Sequence, residues 1–305
     1  MNFPILTTKL HRPSSRPGSI LRVRLIEELE RGMSENRGLS LITASAGYGK
    51  TTLVTDWLED TDRQCVWLSL DEDDNDINRF LSYLVSGLRE IYHEFGQSVL
   101  SVLGSIQVLP PAGLFSALIN EIAVLESPAI VVLDDYHSIQ NDQIHAGLDF
   151  LLKNQLENLH LVLISRHEPP LSLARLRARG QMTEIRSRHL RFMNDETVNF
   201  FHGPMGLDLT SREIETLEVR TEGWAAGLQL AGLSLRGRNR EQITDFLESF
   251  GGKHRDVVDY LSHEILSLQS DETLKFAACT SIFDRFCVSL CDAILERGDS
   301  ESLLM

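Results

Sequence analysis

The stretch LSLITASAGYGKTTL, Leu39 to Leu53, decides how the rest of the chain is read. Its opening residues are β-formers, its middle is a glycine-bearing turn, and TTLVTDWLE beyond it has helical spacing, so strand, turn and helix follow in that order. A polyphosphate needs backbone N–H groups converging on it, and a glycine-rich turn brings the chain close enough to supply them. Ala46, Gly47, Tyr48 and Gly49 would form that cradle. Lys50 would place an ammonium on the outer phosphates, Thr51 would offer its hydroxyl to Mg²⁺, and Thr52 completes the set in the first helical turn, where the helix points its positive end at the anion. The pattern GxxxxGK[ST] is broken once: Ala44 stands where the first glycine belongs. That is tolerable if Ala44 keeps a negative φ, because the cradle is made mostly further on. The alternative is a glycine-rich turn before an ordinary helix.

A second signal is Ile130-Val-Val-Leu-Asp-Asp135. Its apolar residues make a buried strand whose carboxyl end would deliver Asp134 beside the loop, where a carboxylate can hold Mg²⁺ directly or through water. Asp135 would then orient an attacking water, or be a solvated turn residue. A further strand, LVLIS, ends in Arg166, and side chains just past the ends of parallel strands line the ligand crevice. Arg166 could therefore reach a terminal phosphate and report its loss, or lie in a surface turn. The one concentrated basic stretch, Arg175 to Arg179 with Arg186, Arg188 and Arg191, reads as a lid over phosphates, an interface, or a solvated face. Tyr48 and Trp57 read as packing residues.

The 305 residues exceed one small core and suggest two or three domains, at about 100–200 residues each. Hydrophobic residues make up 42% and charged residues 24%, and no apolar run approaches the ~20 residues that cross a bilayer. The start, MNFPILTTKLHRP, has no secretory h-region, so a cytoplasmic home is expected, with no membrane partner. A net charge of −15 argues against a grip on nucleic acid by this chain itself. Cys65, Cys279, Cys287 and Cys291 form neither CxxC nor a zinc spacing, and read as buried thiols.

Along the chain, an extended Pro- and Ser-containing arm leads into a helix from about Leu21 to Arg31. Strands at Gln64 to Leu70, Ala129 to Asp135, His160 to Ser165 and Met182 to Ser187 alternate with helices, which means a parallel α/β sheet flanked by helices. From Asn194 the strand signals fade, and helical runs break at Glu222-Gly223. The expected organisation is a nucleotide-binding domain over 1–190, a helical subdomain over 191–248 and a further unit over 249–305. The close, LERGDSESLLM, has no clear terminating element, so a fragment of a longer chain is expected.

Taken in order, TKLHRP, SAGYGKTTL, WLSLDEDDND with RFLSYL, VVLDDYH, LISR and EGWAAGLQLAGLSL resemble the N-terminal ATPase module of the large MalT-like, LuxR-type transcriptional activators, members of the STAND class of P-loop signalling ATPases. The resemblance implies an ATP- and ADP-binding switch with Mg²⁺, slow hydrolysis, and self-association in the ATP state. It implies that Asp134 and Asp135 form a Walker B pair, that Arg166 is a sensor arginine, and that the arm before Arg22 and Arg24 lies near the adenine. Glu222-Gly-Trp-Ala225 falls where the class has a GxP turn, with Ala225 in place of the proline. The unit over 249–305 would be a winged helix, truncated here, while the inducer sensor and the DNA-reading helix-turn-helix would lie outside the chain. The alternative from another class is a small-molecule or nucleotide kinase with Arg175 to Arg179 as lid, for which no acceptor-binding pattern stands out.

Overall fold

The computed structural model of the protein describes residues 5–15, 18–59, 61, 63–103, 111–154, 156–250, 270–281, 287–295 and 298–300. Five strands, β1 (Leu39–Thr43), β2 (Gln64–Ser69), β3 (Ala129–Asp134), β4 (Leu159–Ser165) and β5 (Met182–Arg186), form one sheet in the order β2-β3-β4-β1-β5. Every pairing is parallel. All residues of β3 and of β4 are buried, as expected when helices cover both faces of a sheet.

The two faces separate by the strand period of two. Leu39, Leu41, Leu68, Val131, Leu133, Leu161 and Leu163 point into one core. That core is closed by α3 (Ile77–Ile91), α5 (Pro111–Ala123), α6 (Asp142–Lys153) and α7 (Leu173–Ala178), with the short α4 (Gln97–Leu103) between α3 and α5. Ile42, Trp67, Ile130, Val132, Val162, Ile164 and Ile185 point the other way, onto α1 (Val23–Ser34) and α2 (Lys50–Glu59). Each such aliphatic side chain contributes about 1.5–3 kcal/mol by leaving water. The sheet is thereby fixed, and its carboxyl edge carries the ends of β1, β3 and β4 side by side.

The amino-terminal arm departs from the extended lead-in expected of it. Thr7–Leu10 is a 3-10 turn, and Lys9 reaches Asp71 at 2.7 Å and the fully buried Asp74 at 2.5 Å. Asp74 also accepts from Arg79 Nε at 3.2 Å, and the Lys9 ammonium lies 5.3 Å from the centre of the Tyr83 ring. The acidic run after β2 thus clasps the arm.

After β5 the chain continues as α8 (Ser187–Leu190), α9 (Asn194–His202), α10 (Ser211–Thr221) and α11 (Ala225–Leu235). The break between α10 and α11 is made by Glu222 and Gly223, both left-handed, at φ of 50° and 69°. Residues 1–238 form one compact unit and 239–305 a second. In the second, α12 (Arg240–Ser249) is capped by Asn239, and helices Asp271–Thr280 and Val288–Leu295 follow. The part of the expected winged helix at 251–269 lies outside the described residues. Among the described residues no helix is long and apolar enough to cross a membrane.

Candidate functional site

The loop between β1 and α2 turns at Gly47 and Gly49, whose φ values are 79° and 74°. Ala44 is buried against the α2 side of the sheet and is not among the residues with positive φ, so it meets the condition under which alanine is tolerated there. Gly49 is required twice over: its φ is left-handed, and a Cβ would stand 2.9 Å from the Arg22 guanidinium.

Each carbonyl of the loop from Ser45 to Gly49 accepts from a protein donor. Ser45 O accepts from Lys50 Nζ at 3.1 Å, Ala46 O from the Trp224 indole at 3.1 Å, and Gly47 O from the Ala226 N–H at 2.9 Å. Arg22 donates to Tyr48 O at 3.2 Å and Gly49 O at 2.5 Å. Among the described residues, none of the backbone N–H groups from Ala46 to Lys50 donates to another protein group. With the carbonyls engaged, the amides are the loop's remaining hydrogen-bonding groups, and successive backbone N–H groups in such a turn are the kind that attract an anion.

At the start of α2, Lys50 is 8% exposed, and burial lowers the pKa of its ammonium, opposed by Asp135 and Asp134 and assisted by Arg166. Thr51 Oγ1 donates to the Asp134 carboxylate at 3.1 and 3.2 Å, from the first turn of α2 to the end of β3. Asp134 is 5% exposed, and burial, with the repulsion of Asp135, pushes its carboxyl up to about 6 against the pull of Thr51, the Asp135 N–H and Lys50. A hydroxyl beside a desolvated carboxylate is a hard oxygen donor set, which suits Mg²⁺. Asp135 follows in left-handed backbone, φ 55°, with its side chain 54% exposed. Arg166, the residue after β4, is near enough to lower the pKa of both Lys50 and His137.

Arg22 and Arg24 are spent on protein groups. Arg22, 4% exposed, also donates to Leu190 O at 3.1 Å, stacks over the Phe192 ring at 5.6 Å, and is lowered by burial to about 10. Arg24 pairs with Glu196 at 3.0 Å and donates to His189 O and Arg191 O. Between them they tie the arm to the loop and to the 189–196 segment. Thr52 is half-buried in the first turn of α2. Tyr48 packs against the core on the α2 side, and Trp57 lies within it with its indole on Glu30 at 2.6 Å. In the basic stretch, Arg177 and Arg186 both reach Glu168 and Glu184 at 2.7–2.8 Å, an ion-paired surface.

Trp224, Ala226 and His137 carry contacts at the site that spacing alone does not reveal. The partners of Trp224 and Ala226 are remote in sequence, at Ala46 and Gly47, and only the EGW signature hinted at the first. Gly223 explains how that segment arrives: its O accepts from Phe192 N at 2.9 Å, and a Cβ there would strike Phe192 O at 2.7 Å.

Comparison with known proteins gives likenesses of three kinds: to a family model, to curated relatives and to solved structures. A sequence family described as the MalT winged helix domain matches residues 262–305. The HTH-type transcriptional regulator MalT of Vibrio parahaemolyticus is 34% identical over 301 residues, 98% of this chain and 33% of that protein. That of Serratia proteamaculans is 35% identical over 299 residues, 97% of this chain and 32% of that protein. The chain spans about a third of the length of the curated relatives it matches. Among solved structures, a Walker-type ATPase of Pyrococcus abyssi superposes with a TM-score of 0.58 at 18% identity, covering 96% of this chain and 90% of that one. That likeness carries the fold alone. The resemblance to MalT-type regulators read from the sequence holds along nearly the whole chain.

Proposed function

We propose that this chain, a P-loop ATPase fold similar over 98% of its length to part of the MalT regulators, is the nucleotide-operated switch of such a regulator. The observation that carries the reading is the run of carbonyls from Ser45 to Gly49, each held by a protein donor, with the amides left for an anion. The Ala46 to Thr52 segment would hold the phosphates of ATP or ADP, with Lys50 as the charge on the outer phosphates. Thr51 and Asp134 would hold Mg²⁺, which when bound neutralises phosphate charge. Asp135 would orient the attacking water, and Arg166 would sense the terminal phosphate. Arg22 and Arg24 hold the arm against which the adenine would sit.

Slow hydrolysis suits a timer better than a metabolic enzyme. ADP would hold a closed, monomeric state, and ATP with an inducer an open state that self-associates. The ligand must then bind the two states with different affinity. The inducer would act through a sensor, and DNA would be read by a helix-turn-helix, both outside these residues, in a cytoplasmic protein. The ion pairs of Arg177 and Arg186 with Glu168 and Glu184 speak against a phosphate-covering lid, and so against the kinase reading.

The test is to denature the purified protein, identify any released nucleotide by chromatography, and follow turnover. Tightly held ADP with slow acceptor-independent hydrolysis supports the switch. Rapid turnover that depends on a small phosphate acceptor overturns it.

A further inference from the structure

The turn after β3 holds a buried nitrogen that the reading above does not use. Tyr136, 1% exposed, is fixed by a hydrogen bond between its hydroxyl and His145 Nδ1 at 2.7 Å. Ser138 O accepts from Asn75 Nδ2 at 2.8 Å, and Asn75 Oδ1 accepts from Gln140 N at 2.6 Å and Asn141 N at 3.1 Å. His137 sits between these two anchors, so the turn presents its ring at a set place. One face of that ring meets His167, the neighbour of Arg166, edge-on with centroids 6.0 Å apart.

Two neighbouring groups on this turn lack what each could give the other. His137 Nδ1 is buried without a hydrogen-bond partner, a rare condition for a polar atom. The Asp135 carboxylate, half-exposed, makes no side-chain hydrogen bond among the described residues, and its Oδ1 lies 3.8 Å from that nitrogen. Its backbone is left-handed, the sparsely populated state that non-glycine residues adopt where a site constrains them. A carboxylate with nothing to hold it samples several rotamers, whereas a group that orients water works only in one.

We propose that His137 is a positioning residue: its Nδ1–H closes onto the Asp135 carboxylate and fixes the rotamer in which the second oxygen faces the attacking water. The inference rests on the reading of Asp135 given above. Burial keeps the imidazole neutral, with Arg166, His167 and Lys50 acting in the same direction and Asp135 against them. A neutral ring has one N–H to place, and a carboxylate acceptor selects the Nδ1 tautomer. The Nδ1 to Oδ1 separation must shorten by less than an ångström, within the reach of two side-chain torsions.

The experiment measures ATP affinity and single-turnover hydrolysis for wild type, His137→Phe, His137→Asn, Asp135→Asn and the double variant Asp135→Asn with His137→Phe. Asparagine can place an N–H where Nδ1 stands, and phenylalanine keeps only the ring. The expected result is a hydrolysis rate lowered about tenfold in His137→Phe with affinity unchanged. His137→Asn should restore it to within about threefold of wild type, and His137→Phe should add nothing on top of Asp135→Asn. Should His137→Phe fail to fold, His137→Leu makes the same comparison. A wild-type rate in His137→Phe, an equally slow His137→Asn, or losses that multiply in the double variant would overturn the role of His137 alone. A wild-type rate in Asp135→Asn would instead remove Asp135 from the mechanism, and this inference with it.

Discussion

Replacing Asp134 by asparagine removes a negative charge that the fold holds out of water beside a second carboxylate. The structure puts the carboxyl at about 6 against an ordinary 3.8, with burial as the first cause and Asp135 as the second. The folded value lies above the unfolded one, so the folded chain binds that proton more tightly, and this group's contribution to stability falls as pH rises from about 4 to about 6. At 1.36 kcal/mol per pH unit the rise corresponds to an upper bound of about 3 kcal/mol above that window. Asparagine keeps an oxygen to accept from Thr51 and from the Asp135 N–H while shedding the charge. Urea unfolding in the presence of a chelator should therefore find Asp134→Asn more stable than wild type by about 1–3 kcal/mol at pH 8, and equal to it near pH 4. Added Mg²⁺ and ATP should reverse the order, because a ligand at about 1,000 times its Kd adds about 4.1 kcal/mol to the form that binds it. A variant less stable than wild type at pH 8, or a gap that persists undiminished at pH 4, would refute the argument.

Two further substitutions probe how the loop is held. Arg22→Met strips the donor from Tyr48 O and Leu190 O and one of two donors from Gly49 O, so calorimetry should record a loss of about 2–4 kcal/mol together with weakened ATP binding. Gly49→Ala forces a left-handed alanine and a Cβ against Arg22, and should cost about 1–2 kcal/mol in denaturant unfolding while lowering nucleotide affinity more than overall stability.

What the sequence made legible was whatever rests on local chemistry. Buried parallel strands are continuous apolar runs, so β1, β3 and β4 stand out, and the loop and Asp134 follow from residues fixed at the strand ends. The bounds drifted where ends are set by packing: the first helix reads as Leu21 to Arg31 and runs Val23–Ser34. The α4 helix, Gln97–Leu103, passed unread because two turns carry too little periodicity. The resemblance places the arm before Arg22 near the adenine; the contacts of the Arg22 guanidinium with the loop carbonyls Tyr48 O and Gly49 O and with Leu190 O were not legible, because those acceptors are remote in sequence. Trp224 is of the same kind: its role comes from a partner brought in by the fold, the Ala46 carbonyl.

The central claim is that the Ala44 to Thr51 loop binds a nucleotide through Lys50. Titration calorimetry of Mg²⁺ and ATP into the wild-type protein, cleared of any carried-over nucleotide, and into Lys50→Ala tests it most directly. The account predicts one site per chain in wild type and no measurable binding in Lys50→Ala, with Lys50→Ala still folded. Wild-type affinity in Lys50→Ala, or no binding by the cleared wild type, would contradict it.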